Sequence, residues 1–298
     1  MELTTEKVLI ESNADMKLPM ASTTKIITAI IIIEDCDLDE VLTVPDEAVG
    51  VEGSSIYLKK GEQIDVRDLL YGLMLRSGND SAAALAIHHS GSVEKFVEEM
   101  NLRIKKMGAE NTRLANPSGL PNDEHYTTAR DLCKIACYAM RNETFKEIVS
   151  TTNHVGKFRS FANKNKMLYN YDGANGVKTG YTVKAGRCLV SSAERDGMDV
   201  VTVVLDCYDM YARSGDMLDK CFSDYKLLKI DKNTVFMSGK VPCKLLKTEN
   251  LVVKNPEKVS YEVQSVENFE SSGEVAELKI YDENGLIFTG KLYSIINN

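Results

Sequence analysis

The chain has 298 residues, 43% of them hydrophobic, enough for one large domain and a smaller one around a substantial core. Its formal net charge is −8, and the 36 lysines and arginines gather into no long basic run, which argues against a nucleic-acid partner. The seven cysteines (Cys36, Cys133, Cys137, Cys188, Cys207, Cys221 and Cys243) form no C-x-x-C pair and have no histidine at zinc-ligand spacing, so neither a disulfide framework nor a metal site is read from them.

The opening Met-Glu-Leu-Thr-Thr-Glu lacks the basic and apolar regions of a signal peptide, and the longest apolar stretch, Ile26 to Ile33, is too short to cross a bilayer. Val8 to Glu11 reads as a short strand, with a turn at Ser12 to Asp15. The run that follows Ser22 is apolar on every side and rich in β-branched residues; its length decides for a buried helix over a strand. Val66 to Met74, Asp80 to His89, Val93 to Met107 and Thr128 to Met140 carry apolar residues three and four apart and read as helices. From about residue 154 the pattern turns to strands. Arg187 to Glu194 and Asp199 to Asp206 flank an Asp196-Gly197 hairpin signal, and Met210 to Leu228 reads as one closing helix. Beyond Asn233 only short strand-like runs remain, among them Glu277 to Tyr281 and Leu286 to Leu292 across Asn284-Gly285. A boundary near residue 230 follows, with domains at 1–230 and 231–298, the second all-β. The tail after Leu292 is too short to hold a membrane.

Three segments carry candidate chemistry. Ser22 and Lys25 are three apart, a helical spacing that lets an amine reach a hydroxyl. A serine hydroxyl is a weak nucleophile until a base takes its proton, and lysine serves as that base only when burial or a second cation lowers its pKa. Alone, Ser-x-x-Lys is more often an N-capping serine beside a solvated lysine. Ser77-Gly78-Asn79 falls between two helices, where a polar turn presents a hydroxyl and an amide to a cleft; by itself it could be an ordinary turn. Lys178-Thr179-Gly180 lies just before the hairpin, where Gly180 permits close approach of a substrate backbone and Lys178 could equally be a strand-edge charge.

In this order, on helix, turn and strand, the three resemble the signature set of β-lactamases and penicillin-binding proteins. With Leu18-Pro-Met-Ala-Ser-Thr-Thr-Lys-Ile, Leu75-Arg-Ser-Gly-Asn-Asp-Ser-Ala, Asn116-Pro-Ser-Gly-Leu, Tyr126-Thr-Thr-Ala-Arg-Asp-Leu and Gly176-Val-Lys-Thr-Gly-Tyr-Thr, the chain resembles the low-molecular-mass penicillin-binding proteins, serine-type D-alanyl-D-alanine carboxypeptidases, over most of residues 1 to 230.

The resemblance implies an α/β (α+β) β-lactamase/transpeptidase-like fold, an antiparallel sheet flanked by helices with an inserted helical subdomain, followed by a small C-terminal all-β domain. It implies Ser22 as nucleophile, Lys25 as its base, Ser77 and Asn79 as proton relay and amide holder, and Lys178 as a second cation. Lys178 with Thr179 would help bind the substrate's terminal carboxylate, Arg213 would orient it, and the N–H groups of Ser22 and Tyr181 would form the oxyanion hole, with Gly180 giving room. The expected partners are peptidoglycan stem peptides ending in D-Ala-D-Ala and β-lactams as covalent inhibitors, outside the cytoplasmic membrane, with no cofactor and no metal. Two departures stand out. Lys164 occupies a place where some relatives have arginine. The family also begins with a signal peptide and further residues before the strand at Val8, so either a trimmed chain or an incomplete gene start is expected here.

A class A-like β-lactamase needs a deacylating glutamate in a Glu-x-x-Leu-Asn pattern, and Leu114-Ala115-Asn116 has no glutamate three residues before the leucine. A non-catalytic sensor of muropeptides or β-lactams is the other alternative, and the five intact polar positions argue against it. His88 and His89 diverge on a helix, and His125 and His154 lack a Gly-x-Ser-x-Gly partner, so a Ser-His-Asp hydrolase is not indicated.

Overall fold

A helix apolar on all sides is stable only inside a core, and that is where α1 (Lys25–Asp35) lies, with every residue from Lys25 to Ile32 buried. The computed structural model describes residues 1–266 and 273–295. The later helices of the first half are α2 (Val66–Tyr71), α3 (Asn79–Ser90), α4 (Val93–Lys106), α5 (Ala129–Met140) and α6 (Glu143–Ser150). Of these, α3, α4, α5 and α6 pack directly on α1. The starts of α2, α4, α5 and α6 follow from side chains that accept orphan N–H groups of the first turn. Asp65 caps α2 through the Asp68 N–H, and Thr128 caps α5 through the Asp131 N–H. Ser92 and Asn142 do the same for α4 and α6.

Two features of this half were not read from the sequence. The helix α6 is one. The other is a two-stranded pair, β1 (Val41–Thr43) with β2 (Gln63–Asp65), inside the stretch read as mostly helical. Strands of three residues are too short to show a period of two.

A second pair, β3 (Asn153–Val155) with β4 (Ser160–Ala162), and a short helix, α7 (Met167–Asn170), lead to a sheet of β5 (Ala174–Thr182), β6 (Gly186–Arg195) and β7 (Met198–Val204), in that order. The β5–β6 pair is antiparallel, with Gly180 opposite Cys188 and Thr182 opposite Gly186. Asp196 and Gly197 both have positive φ, 51° and 76°, which is the two-residue turn that Asp-Gly favours.

Val8 to Glu11 is extended chain and not a regular strand. The edge of β7 pairs instead with the first three residues: Glu2 bridges Val200, and Leu3 N–H donates to Asp199 O at 2.8 Å. The helix read as Met210 to Leu228 ends earlier. The final helix, α8, spans Met210–Asp224, and Lys226–Ile230 forms β8 because it pairs over five residues with Glu249–Val253 further along the chain.

By internal contacts the chain divides into one unit of residues 1–195 and 199–219, and another of 196–198 and 220 onward. In the second unit, β8 pairs with β11 (Glu249–Val253), while β9 (Phe236–Ser238), β10 (Val241–Lys244), β12 (Ser260–Ser265), β13 (Glu274–Asp282) and β14 (Gly285–Ser294) form a sheet in the order β12-β13-β14-β10-β9. Ala276, Leu278 and Ile280 alternate inward along β13 and pack with Ile230, Cys243, Leu245 and Leu292. The last three residues of the tail after Leu292 lie outside the described residues. Among the described residues no helix is long and apolar enough to cross a membrane.

Candidate active site

Ser22 lies in a 3₁₀ turn, Ala21–Thr24, and Lys25 is the first residue of α1. In a 3₁₀ turn positions i and i+3 eclipse, which brings Lys25 Nζ to 3.1 Å from Ser22 Oγ. The turn is strained at its start: Ala21 has φ +47°, a left-handed conformation that costs a residue with a β-carbon about 1–2 kcal/mol. Such strain persists where surrounding structure over-determines it.

Lys25 is fully buried, and its amine has two further partners, Asn79 Oδ1 and Ser118 O, each at 2.7 Å. The amide orientation of Asn79 follows from its other contact, Nδ2–H donating to Glu52 O at 2.5 Å. Both partners of the amine are therefore acceptors only. A neutral lysine has two N–H bonds to give, and donating them to Asn79 and Ser118 leaves the lone pair facing the Ser22 hydroxyl. The electrostatics favour that neutral form. Burial holds Lys25 well below the usual lysine range, and the positive charges of Lys178 and Lys164 act in the same sense against the opposing Asp80 carboxylate.

The turn at Ser77 has a structural cause. After α2 the backbone widens into a π turn at Gly72–Arg76, ends with Ser77 at φ +65°, and restarts as α3 at Asn79. This break places Asn79 on Lys25. Ser77 itself is buried, 8% exposed.

On the other side runs β5. Lys178 is 2% exposed and donates to Thr179 O at 3.0 Å; burial, and next the Lys164 charge, push its amine down to about 7. A β-carbon on Gly180 would lie 3.0 Å from the Ser22 amide nitrogen and 3.2 Å from Met20 O, so only glycine lets β5 run this close to the nucleophile turn. Thr179 is half-buried and Tyr181, 64% exposed, stands beside it at the strand's open end. Arg213 is placed differently. It lies in the first turn of α8 and lines a separate cavity of about 520 Å³ with Met1, Val8, Ile10, Val203 and Met217. None of the contacts of Lys25 reaches it.

Three contributors were not assigned from the sequence. Ser118 supplies a backbone carbonyl, held by Asn116 Oδ1, which accepts from the N–H groups of Ser118, Gly119 and Leu120. The Asn-Pro-Ser-Gly signal pointed to a turn without saying what it touched. Asp80, 1% exposed, accepts from Ile56 N–H and Leu58 N–H and from Ser55 Oγ, fixing the loop whose Ser54 carbonyl takes the Asn79 N–H. His125 is buried and hydrogen-bonded to Thr24, two residues from the nucleophile. Among the described residues no group of three or more acidic, histidine or cysteine side chains is placed to hold a metal.

Residues 1–209 match the D-alanyl-D-alanine carboxypeptidase family, peptidase S11. The chain belongs to that family. It is 34% identical over 238 residues to D-alanyl-D-alanine carboxypeptidase DacF of Bacillus subtilis, a match covering 76% of this chain and 61% of that protein. It is 37% identical over 234 residues to a D-alanyl-D-alanine carboxypeptidase of Streptomyces sp. strain K15, covering 71% of this chain and 80% of the relative. The crystal structure of D-alanyl-D-alanine carboxypeptidase DacD from Francisella tularensis superposes with a TM-score of 0.80 at 25% identity, covering all of this chain and 92% of that one. The chain thus has the β-lactamase/transpeptidase-like fold of this peptidase family together with a C-terminal β unit. It spans about 61% of the length of DacF and 54% of that of DacC from Escherichia coli.

Proposed function

We propose that this member of the family is a serine D-alanyl-D-alanine carboxypeptidase that removes the terminal D-alanine from peptidoglycan stem peptides through an ester on Ser22. The observation that carries the reading is the buried Lys25 amine, 3.1 Å from Ser22 Oγ and held there by Asn79 Oδ1 and Ser118 O at 2.7 Å each. Ser22 attacks the carbonyl between the two terminal D-alanines while Lys25 takes its proton. The oxyanion of the tetrahedral intermediate accepts from the Ser22 and Tyr181 N–H groups. Collapse expels D-alanine, whose nitrogen receives a proton through Lys25 and Ser77. Water then hydrolyses the acyl-enzyme. Lys178 and Thr179 bind the terminal carboxylate, and Arg213 is assigned to it through the family resemblance alone.

A β-lactam would acylate the same serine and leave slowly. The acidic group that acts on Lys25 is Asp80, and its oxygens are already taken by Ile56 N–H, Leu58 N–H, Ser81 N–H and Ser55 Oγ. Asn111 stands three residues before Leu114, where a class A β-lactamase would carry its deacylating glutamate. We assign catalysis to the first unit and a site of action outside the cytoplasmic membrane, where stem peptides are found.

Incubation with penicillin followed by mass spectrometry and peptide mapping tests the reading: one adduct, on the peptide bearing Ser22, is expected. An adduct elsewhere, or release of D-alanine from a dipeptide-ended peptide unaffected by Ser22→Ala, would overturn it. Sustained fast turnover of a chromogenic cephalosporin would instead identify a β-lactamase.

A further inference from the structure

His125 and Thr24 form a buried hydrogen-bonded chain that ends on the peptide unit immediately before the nucleophile. Ala115 N–H meets His125 Nδ1 at 3.0 Å, His125 Nε2 meets Thr24 Oγ1 at 2.8 Å, and Thr24 Oγ1 meets Ala21 O at 2.8 Å. The two ends determine the direction of every link, because a backbone N–H only donates and a carbonyl only accepts. Nδ1 is therefore the unprotonated ring nitrogen, Nε2–H donates to Thr24 Oγ1, and the Thr24 hydroxyl donates to Ala21 O. This order needs a neutral imidazole. Burial holds His125 at about 4, which keeps it neutral.

The destination of the chain matters for chemistry. Ala21 C=O and Ser22 N–H belong to one planar trans peptide unit and point in opposite directions. Anchoring the carbonyl therefore aims the N–H. The anchor acts on a residue that otherwise resists its conformation, since Ala21 has φ +47°. The carbonyl is also walled in by Gly119, where a β-carbon would lie 1.8 Å from Ala21 O. On the opposite side, the space in front of the Ser22 amide is kept open by Gly180.

We infer that His125 and Thr24 are positioning residues that aim the Ser22 N–H at the oxyanion formed during acylation. His125 also joins the two ends of the loop that carries the Ser118 carbonyl to Lys25, so one imidazole ties the turn holding the nucleophile to the loop orienting its base. The inference rests on the reading of Ser22 as the acylated residue. It adds a role for a histidine that acts through the Thr24 hydroxyl and the Ala21 carbonyl.

The test is acylation by a chromogenic cephalosporin in the parent protein and in Thr24→Val, Thr24→Ser and His125→Gln, read by stopped flow. Loss of a whole oxyanion donor costs about 10²- to 10³-fold in rate, and a misaimed donor should cost less. Thr24→Val is expected to lower the limiting acylation rate about 10- to 100-fold, with the dissociation constant of the non-covalent complex changed less than about threefold. Thr24→Ser should restore the rate. Isotope-edited infrared spectra of the acyl-enzyme add a direct readout: the ester carbonyl band should move to higher frequency in Thr24→Val, as its hydrogen bonding weakens. If Thr24→Val does not fold, His125→Gln, which keeps the donor to Thr24 but loses the acceptor for Ala115 N–H, carries the same expectations. An unchanged limiting rate and carbonyl band overturn the inference alone, and so does a loss confined to the dissociation constant or to the melting temperature. A parent protein that forms no Ser22 adduct overturns the underlying reading as well.

Discussion

Lys178 is a buried cation whose place in the site should be visible as a cost to the fold. Its side chain is 2% exposed, and its amine falls from an ordinary 10.5 to about 7. At about 1.4 kcal/mol for each tenfold change in proton affinity, the charged form is disfavoured in the fold by about 5 kcal/mol. Replacing it with methionine keeps most of the volume and removes the charge, but loses the hydrogen bond to Thr179 O, worth about 1 kcal/mol. Lys178→Met should therefore be about 4 kcal/mol more stable than the parent at pH 7 and below. The sign follows from proton uptake. Between about 7 and 10.5 the unfolded chain holds a proton on Lys178 that the folded chain does not, so the parent gains stability as pH rises through that window. The advantage of Lys178→Met should shrink over the same window and nearly vanish by its upper end. Lys25 stays depressed by burial in both proteins, and loses in the variant only the part due to the Lys178 charge. Urea unfolding of the two proteins from pH 6 to 10 measures this directly. A variant no more stable than its parent at pH 7, or an advantage that does not change with pH, would refute the account of Lys178 as an unpaired buried cation. The same variant should be acylated by penicillin far more slowly.

Other predictions follow from neighbouring contacts. Lys164→Gln removes a like charge that lowers the Lys178 amine, so the alkaline limb of the pH profile for second-order acylation should move to higher pH. Asp80→Asn removes the charge that raises the Lys25 amine, so the acid limb should move to lower pH. The same change weakens the hold on Ile56 and Leu58, with a loss of about 2 kcal/mol in denaturant unfolding. Gly119→Ala meets two obstacles, a φ of +87° and a β-carbon 1.8 Å from Ala21 O; a loss of about 3 kcal/mol or more and a near-complete loss of acylation are expected, measured by thermal melting and by penicillin labelling.

Much of the site was legible without coordinates, because its chemistry lies in short segments whose residue types are constrained locally. Ser22 and Lys25 had to share a helical face, and the apolar run after them had to be buried, so a depressed lysine followed from one stretch of sequence. Asn79 and Gly180 were likewise read as site residues before their contacts were known. What the motifs did not reveal is why they meet. The π turn that ends on Ser77 comes from packing around Gly72–Arg76, not from any local signal. The seat of Ser22 in a strained 3₁₀ turn, outside the α-helix, was equally hidden.

Residues that act through the backbone were the hardest to foresee. Ser118 contributes a carbonyl, which every residue possesses, and only its position beside Lys25 makes it part of the site. His125 carries no motif, and its importance comes from bridging Ala115 to Thr24 across a loop. The short strands failed for a related reason: Val8 to Glu11 has strand-like composition, yet it is the chain's first three residues that pair with Asp199 to Val201 of β7. By itself the sequence determined the chemical types in the site, the buried helix that depresses Lys25, and the order of helical and strand-rich regions, because those depend on local spacing and hydrophobic period. Tertiary structure alone decided which backbone atoms face the amine, which edge is paired and how the nucleophile's peptide is aimed, because each depends on residues far apart in the chain meeting within hydrogen-bond distance.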